Sequence, residues 1–154
     1  MTTATDLSFG EIAPWQSMLD RHSELFLDMV EGSRIGFVSR EASGILPGKH
    51  LDGVKVATDV PLLAWQLENG AMSARIERFA GMASTKVDLL LVADEEAMAT
   101  MLGELQGDTP TVIKRLIRRG RVMFFVFKNK AQLQDAGYED FLDSLGLAFL
   151  GACR

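Results

Sequence analysis

Cysteine is almost absent from this chain, since Cys153 is the only one among 154 residues. A single cysteine cannot form an internal disulfide, which argues against a disulfide-stabilised secreted domain. No apolar run reaches the roughly 18 residues that a membrane-spanning helix needs. Residues 1–6 also lack the basic flank and apolar core of a signal peptide. We therefore expect a soluble, cytoplasmic protein with no stable membrane insertion.

Histidine is scarce as well, and the motifs of catalysis and metal binding are missing. His22 and His50 are the only histidines, and neither has a second ligand at the spacing of a zinc site. The chain has no Gly-x-Ser-x-Gly elbow, no Walker loop and no Gly-x-Gly-x-x-Gly motif. We predict no catalytic residue, no metal and no cofactor, and we expect a non-enzymatic protein.

Positive charge is in the minority, with 16 basic against 21 acidic residues and a formal net charge of −5. Nucleic-acid binding needs a basic surface for the phosphates, so we expect no nucleic-acid partner. One local exception is a basic group on a predicted helix and just after it: Lys114, Arg115, Arg118, Arg119 and Arg121. This group is either a solvated face or a site for an anionic group. For the second alternative we select Lys114, Arg118 and Arg121.

The chain does contain enough apolar sequence to build a core. Hydrophobic residues make up 47% and charged residues 24%, which is typical of one folded domain of this length. No linker or repeat divides the sequence. We predict a single domain over residues 1–154, in which residues 1–6 form a loose tail.

Hydrophobic periodicity and turn residues predict the order α, β, loop, β-hairpin, β, α, α, β, α. The predicted helices are Pro14–Glu31, Glu95–Leu102 capped by Asp94, Thr111–Arg119 and Tyr138–Leu150. The predicted strands are Arg34–Ser39, Leu62–Leu67, Met72–Glu77, Val87–Val92 and Val122–Phe127. Between the second and third strands, Asn69-Gly70 is a strong signal for a two-residue hairpin turn. The order predicts an α+β fold with a mixed or antiparallel sheet of about five strands, covered by helices in a single pair of layers.

The segment Leu62–Phe127 resembles the sterol carrier protein 2-like family. The resemblance rests on the order and spacing of short motifs rather than on any one of them: Trp65–Met72 with its Glu-Asn-Gly turn, Lys86–Leu91, Asp94–Met98, Met101–Glu104 and Arg119–Val122. It implies a five-stranded sheet and helices around an apolar tunnel for lipids or similar molecules. It brings no catalytic residues, and some members of the family serve as dimerisation modules.

A surplus of apolar residues points to either a pocket or an interface. Eight Met and nine Phe are generous for a soluble chain of this size, and Met adapts to varied ligands. We predict a binding module for an apolar or lipid-like small molecule in an internal cavity, lined by Trp65, Leu67, Met72, Ile76, Leu89, Leu91, Phe125 and Phe127. The alternative is a homodimerising or accessory interaction module without a small-molecule ligand, whose apolar surplus is an interface.

Overall fold

A computed structural model describes residues 9–44, 60–79, 81 and 86–147. The predicted loose tail, the Gly-rich loop with His50, and Cys153 lie outside these residues. The α-helices are α1 Ile12–Arg21, α2 Arg40–Ser43, α3 Glu95–Gly103, α4 Thr109–Arg118, α5 Lys130–Asp135 and α6 Glu139–Ser144. The strands are β1 Arg34–Ser39, β2 Val60–Glu68, β3 Ala71–Phe79, β4 Leu89–Ala93 and β5 Val122–Val126.

The five strands form one open mixed sheet in the order β3-β2-β1-β4-β5. β1 and β4 are parallel, and the other neighbouring strands are antiparallel. The predicted α+β fold with a five-stranded sheet is therefore confirmed. β3 and β5 are the two edges of the sheet.

The β2–β3 hairpin follows its turn signal closely. Asn69 and Gly70 both have positive φ, at 54° and 81°, as a type I′ turn requires. This turn sets the register in which Leu67 lies opposite Met72 and Trp65 lies opposite Ala74. The hairpin prediction is confirmed, and the strands are longer than predicted.

The first helix is shorter than predicted. Periodicity predicts one helix over Pro14–Glu31, whereas α1 ends at Arg21 and a 3₁₀ helix follows at Ser23–Phe26. The break turns Phe26 into the core, where its ring centroid lies 5.7 Å from that of Phe141. Because Phe26 packs in the core, the chain does not continue as the single helix that the apolar pattern predicts.

Near the C-terminus, the turn between α5 and α6 holds the segment after the 3₁₀ helix. The amide of Val30 donates to the carbonyl of Ala136. A Cβ on Gly137 would lie 1.8 Å from the carbonyl oxygen of Asp28, so only glycine permits this approach. The predicted helix Tyr138–Leu150 is shorter in the structure: α6 spans Glu139–Ser144, Leu145–Leu147 are not helical, and residues beyond Leu147 lie outside the described part.

The central strands of the sheet, β2, β1 and β4, are largely buried on both faces. On the helix-covered face, side chains such as Phe37, Leu63 and Leu91 share one hydrophobic cluster with residues of α1, α3, α4, α5 and α6. On the second face, Leu62, Leu90 and other strand residues form a smaller cluster to which no described helix contributes. The central strand β4 is buried on both faces, because Leu89–Ala93 are all buried.

Candidate ligand-binding site

The eight apolar residues predicted to line a pocket do not meet in one place. Those that share the cluster on the helix-covered face, all nearly fully buried, are Trp65, Leu67, Met72, Leu89 and Leu91. Phe125 packs against the cluster on the second face. Ile76 and Phe127, on and just beyond the edge strands, are 38% and 40% exposed. Strand alternation explains the separation of Phe125, because adjacent residues of a strand point to opposite faces.

Trp65 lies at the centre of the aromatic side chains on the helix-covered face. Its ring centroid is 4.7 Å from that of Phe37, 6.1 Å from Phe141, 6.2 Å from Trp15 and 6.3 Å from Phe26. These tilted and edge-on contacts are the arrangements that aromatic rings prefer. β1, β2, α1, α6 and the 3₁₀ helix each bring one ring to this group.

The two tryptophans of this group differ in their polar atoms. Nε1 of Trp15 donates a 2.7 Å hydrogen bond to the carbonyl of Phe9. Nε1 of Trp65 is buried and has no acceptor among the described residues. A buried donor without a partner costs roughly 1–3 kcal/mol. The only other buried side-chain nitrogen without a partner in the described ranges is Nε2 of His22.

Asp88 joins the starts of β1 and β4. Its carboxylate accepts hydrogen bonds from the hydroxyl of Tyr138 and from the amide of Arg34, the latter at 3.2 Å, and it pairs with Lys128 at 3.4 Å. Burial, together with the neighbouring carboxylate, raises the pKa of Tyr138 well above its ordinary value. A phenol held protonated in this way is a structural hydrogen-bond donor.

A groove of about 140 Å³ lies between α3 and α4. We call it the arginine groove, and its lining consists of Glu96, Thr100, Val112, Arg115, Leu116, Arg119 and Arg121. Val112 and Leu116 form an apolar floor that belongs to the cluster on the helix-covered face. The groove therefore combines cationic walls with an apolar base that is continuous with the core.

The cations of this groove are not equivalent. Arg121 is 3.2 Å from Asp94 and 3.0 Å from Glu96, so its charge is largely compensated. Arg115 and Arg119 are exposed and make no ion pair within the described ranges. Positions i and i+4 of a helix lie on one side, so these two guanidinium groups are available to the same anion.

Only one of the three basic residues selected from the sequence lines this groove. Arg121 does so, whereas Lys114 packs its side-chain carbons against Gly146, 3.1 Å from a Cβ built there, and Arg118 is exposed outside the lining. Arg115 and Arg119 were part of the basic group but were not selected. Their i, i+4 spacing was a usable signal, but which side of α4 faces α3 depends on tertiary packing.

In the part of the chain that the structure describes, no group of three His, Cys, Asp or Glu side chains is arranged to hold a metal ion. No helix there is long and apolar enough to cross a membrane.

No protein-family model matches the chain, and no curated protein sequence matches it. Among solved structures, the chain is similar to "UbiJ-SCP2 Ubiquinone synthesis protein", with 12% identity, a TM-score of 0.42 and coverage of 97% of this chain and 96% of that one. It is also similar to "Sterol Carrier Protein 2 from Yarrowia Lipolytica (apo form)", with 8% identity, a TM-score of 0.32 and coverage of 90% and 84%. Both names refer to sterol carrier protein 2, and residues 62–127 resemble the family of that protein.

Proposed function

We propose that this protein is a non-enzymatic binding module for a lipid-like small molecule. The apolar body of the ligand packs on the helix-covered face against Trp65, Leu67, Met72, Leu89 and Leu91. The observation that carries the proposal is the Nε1–H of Trp65, which is buried among four aromatic rings and has no acceptor in the described part of the chain. A ligand oxygen that accepts this hydrogen bond removes the cost of leaving the donor unpaired.

The remaining affinity comes from apolar surface. Each square ångström of apolar surface removed from water contributes about 25 cal/mol. Entry of a ligand requires the packed side chains to move, and the inner side of α3 carries Met98 and Met101. Methionine side chains are flexible and adapt to changes of shape. We therefore place the entrance between α3 and α4, where the arginine groove lies.

The arginine groove supplies the polar end of this site. Arg115 and Arg119 bind a carboxylate or phosphate at the surface, while the floor of Val112 and Leu116 leads the apolar chain inward. Guanidinium groups suit such anions because their donors match the oxygens in pairs. We therefore propose the anionic end at Arg115 and Arg119, beside the compensated Arg121, rather than at Lys114, Arg118 and Arg121.

Two fluorescent probes of equal chain length, a fatty acid and the corresponding alcohol, test the proposal. The wild type is expected to bind both, with the fatty acid bound more tightly. Trp65→Phe removes the donor and is expected to weaken binding of both probes about fivefold, which corresponds to one hydrogen bond of about 1 kcal/mol. Arg115→Ala combined with Arg119→Ala is expected to weaken binding of the fatty acid alone.

Arg118→Ala is the matched control, because Arg118 is an exposed arginine of the same helix outside the groove, and it leaves both affinities unchanged. Native mass spectrometry of the purified protein, followed by organic extraction, identifies any co-purifying ligand. A protein that carries no extractable lipid and binds neither probe would contradict the proposed function.

A further inference from the structure

The outer edge of β5 has unpaired backbone groups. Toward β4, the amide of Phe127 donates to the carbonyl of Asp88, and the carbonyl of Arg121 accepts from the amide of Asp94. Residues of an antiparallel ladder alternate between inward and outward hydrogen bonding. The N–H and C=O groups of Val122, Phe124 and Val126 therefore point away from the sheet, and no described residue pairs with them.

This edge is also apolar along its whole length. The segment Val122–Phe127 contains no polar side chain. Val126 and Phe127 are 37% and 40% exposed, and Met123, Phe124 and Phe125 are partly exposed. An open, apolar edge strand is a template for pairing with another strand. The apolar side chains of this strand are thus only partly covered, because the strand lies at an edge.

The charges at the two ends of β5 select against a charged partner strand. At the start of the strand, Arg121 is paired with Asp94 and Glu96. At its end, Lys128 is paired with Asp88. An acidic peptide would find both cations already neutralised. An uncharged apolar strand would meet no unpaired charge.

We propose that the β5 edge pairs with β5 of a second copy of this chain, in antiparallel register about Phe124. The residues whose backbone groups point away from the sheet are Val122, Phe124 and Val126, which are spaced symmetrically about Phe124. A two-fold axis at Phe124 therefore pairs all of these backbone groups, with Val122 opposite Val126 of the partner's strand. In the same register, Arg121 lies opposite the aromatic ring of the partner's Phe127 rather than opposite the partner's Lys128. The result is one continuous sheet across two copies, a mode of association known for open sheet edges.

Two residues of nearly equal exposure make a matched test of this pairing. Val126 is 37% exposed on β5, and Ile76 is 38% exposed on β3, the opposite edge strand. Sedimentation velocity over a range of protein concentrations is expected to show a reversible dimer for the wild type. Val126→Lys is expected to weaken the dimer more than about tenfold, because it brings charge into an apolar contact. Ile76→Lys is expected to leave it unchanged. Urea unfolding of both variants confirms that they are folded.

The register has its own test, which does not depend on the lysine variants. Phe124→Cys, in a background carrying Cys153→Ser, is expected to give a disulfide-linked dimer under mild oxidation, since Phe124 lies on the two-fold axis. Ile76→Cys in the same background is expected to give no disulfide-linked dimer, because residue 76 lies on β3, at the opposite edge of the sheet. A wild type that is monomeric at every concentration would overturn the proposal. So would a dimer that Val126→Lys leaves intact or that Ile76→Lys breaks equally.

Discussion

The two edges of the sheet differ in whether their outward backbone groups have hydrogen-bond partners. At β3, the side-chain amide of Gln16 behaves like a neighbouring peptide: its Nε2 donates to the carbonyl of Met72 at 2.8 Å, and its Oε1 accepts from the amide of Ala74 at 2.9 Å. At β5, no side chain of a described residue makes such bonds. That strand is held instead by ion pairs and hydrogen bonds at its two ends, through Asp94 and Asp88.

This difference shows how one sheet can hold a closed edge and an edge available for pairing. β3 is closed at Met72 and Ala74 by Gln16 of α1, and it carries charged side chains such as Arg75 and Glu77. Natural proteins use covering elements and charges of this kind to prevent unwanted strand pairing. Among the residues that the structure describes, the β5 edge has neither between its two ends, and the ion pairs at those ends hold the strand in place. Availability for pairing is thus confined to one edge.

Asp94→Ala is expected to have the largest effect, because Asp94 fixes the start of β5. Its buried carboxylate, 4% exposed, caps α3 through the amide of Ala97 at 2.7 Å and also holds Arg121. Loss of the cap and of the hydrogen bonds to a charged group is expected to lower the free energy of unfolding by about 3 kcal/mol. Urea unfolding measures this change.

Asp108→Ala is the matched control, since Asp108 caps α4 but is exposed and holds no arginine within the described residues. It is expected to cost about 1 kcal/mol, the usual value of a cap. Equal losses for the two variants would mean that Asp94 acts only as a cap and does not anchor β5.

Gln16→Ala is expected to open the β3 edge and to cost about 2 kcal/mol, because two hydrogen bonds to the backbone are lost at about 1 kcal/mol each. Hydrogen exchange gives a local readout: the amide of Ala74 is expected to lose its protection in this variant. Gln134→Ala, which removes an exposed glutamine from α5, is expected to change neither quantity. An Ala74 amide that remains protected without Gln16 would show that α1 closes this edge by packing alone.

Local signals predicted those parts of the fold that neighbouring residues determine. The Asn69-Gly70 turn fixed the β2–β3 register, and Asp94 was identified as the cap of α3. The break after Arg21 was missed because it depends on where Phe26 packs in the finished core. α5 was missed although its capping box, Asn129 with Gln132, is a local signal.

The candidate site was predicted in part, for a related reason. Leu67 and Met72 were both predicted to line the site, and both belong to the cluster on the helix-covered face. The position of a strand in the sheet is not a local property: β4 and β5 are both apolar throughout, yet β4 is central and β5 is an edge. For the same reason the sequence predicted neither the exposure of Phe127 nor the facing of Arg115 toward α3. Whether Trp15 or Trp65 finds a hydrogen-bond acceptor also depends on contacts distant in sequence.

The smallest expected effect concerns the charged side chains of the β3 strand. Hydrogen bonds from Arg34, the nearer at 2.8 Å, lower the pKa of Glu77 from its ordinary value of 4.5. A lowered pKa in the folded state means that this interaction stabilises the fold above pH 4.5 and is lost as the pH falls through the lowered value. Because Glu77 is 31% exposed, solvent limits the contribution to less than about 1 kcal/mol.

Urea unfolding is therefore expected to show Glu77→Gln less stable than the wild type at neutral pH, with the difference vanishing in acid. Glu24→Gln, at an exposed carboxylate without an ion pair among the described residues, is expected to match the wild type throughout. A difference that persists unchanged in acid would assign the loss to the packing of Glu77 rather than to its charge.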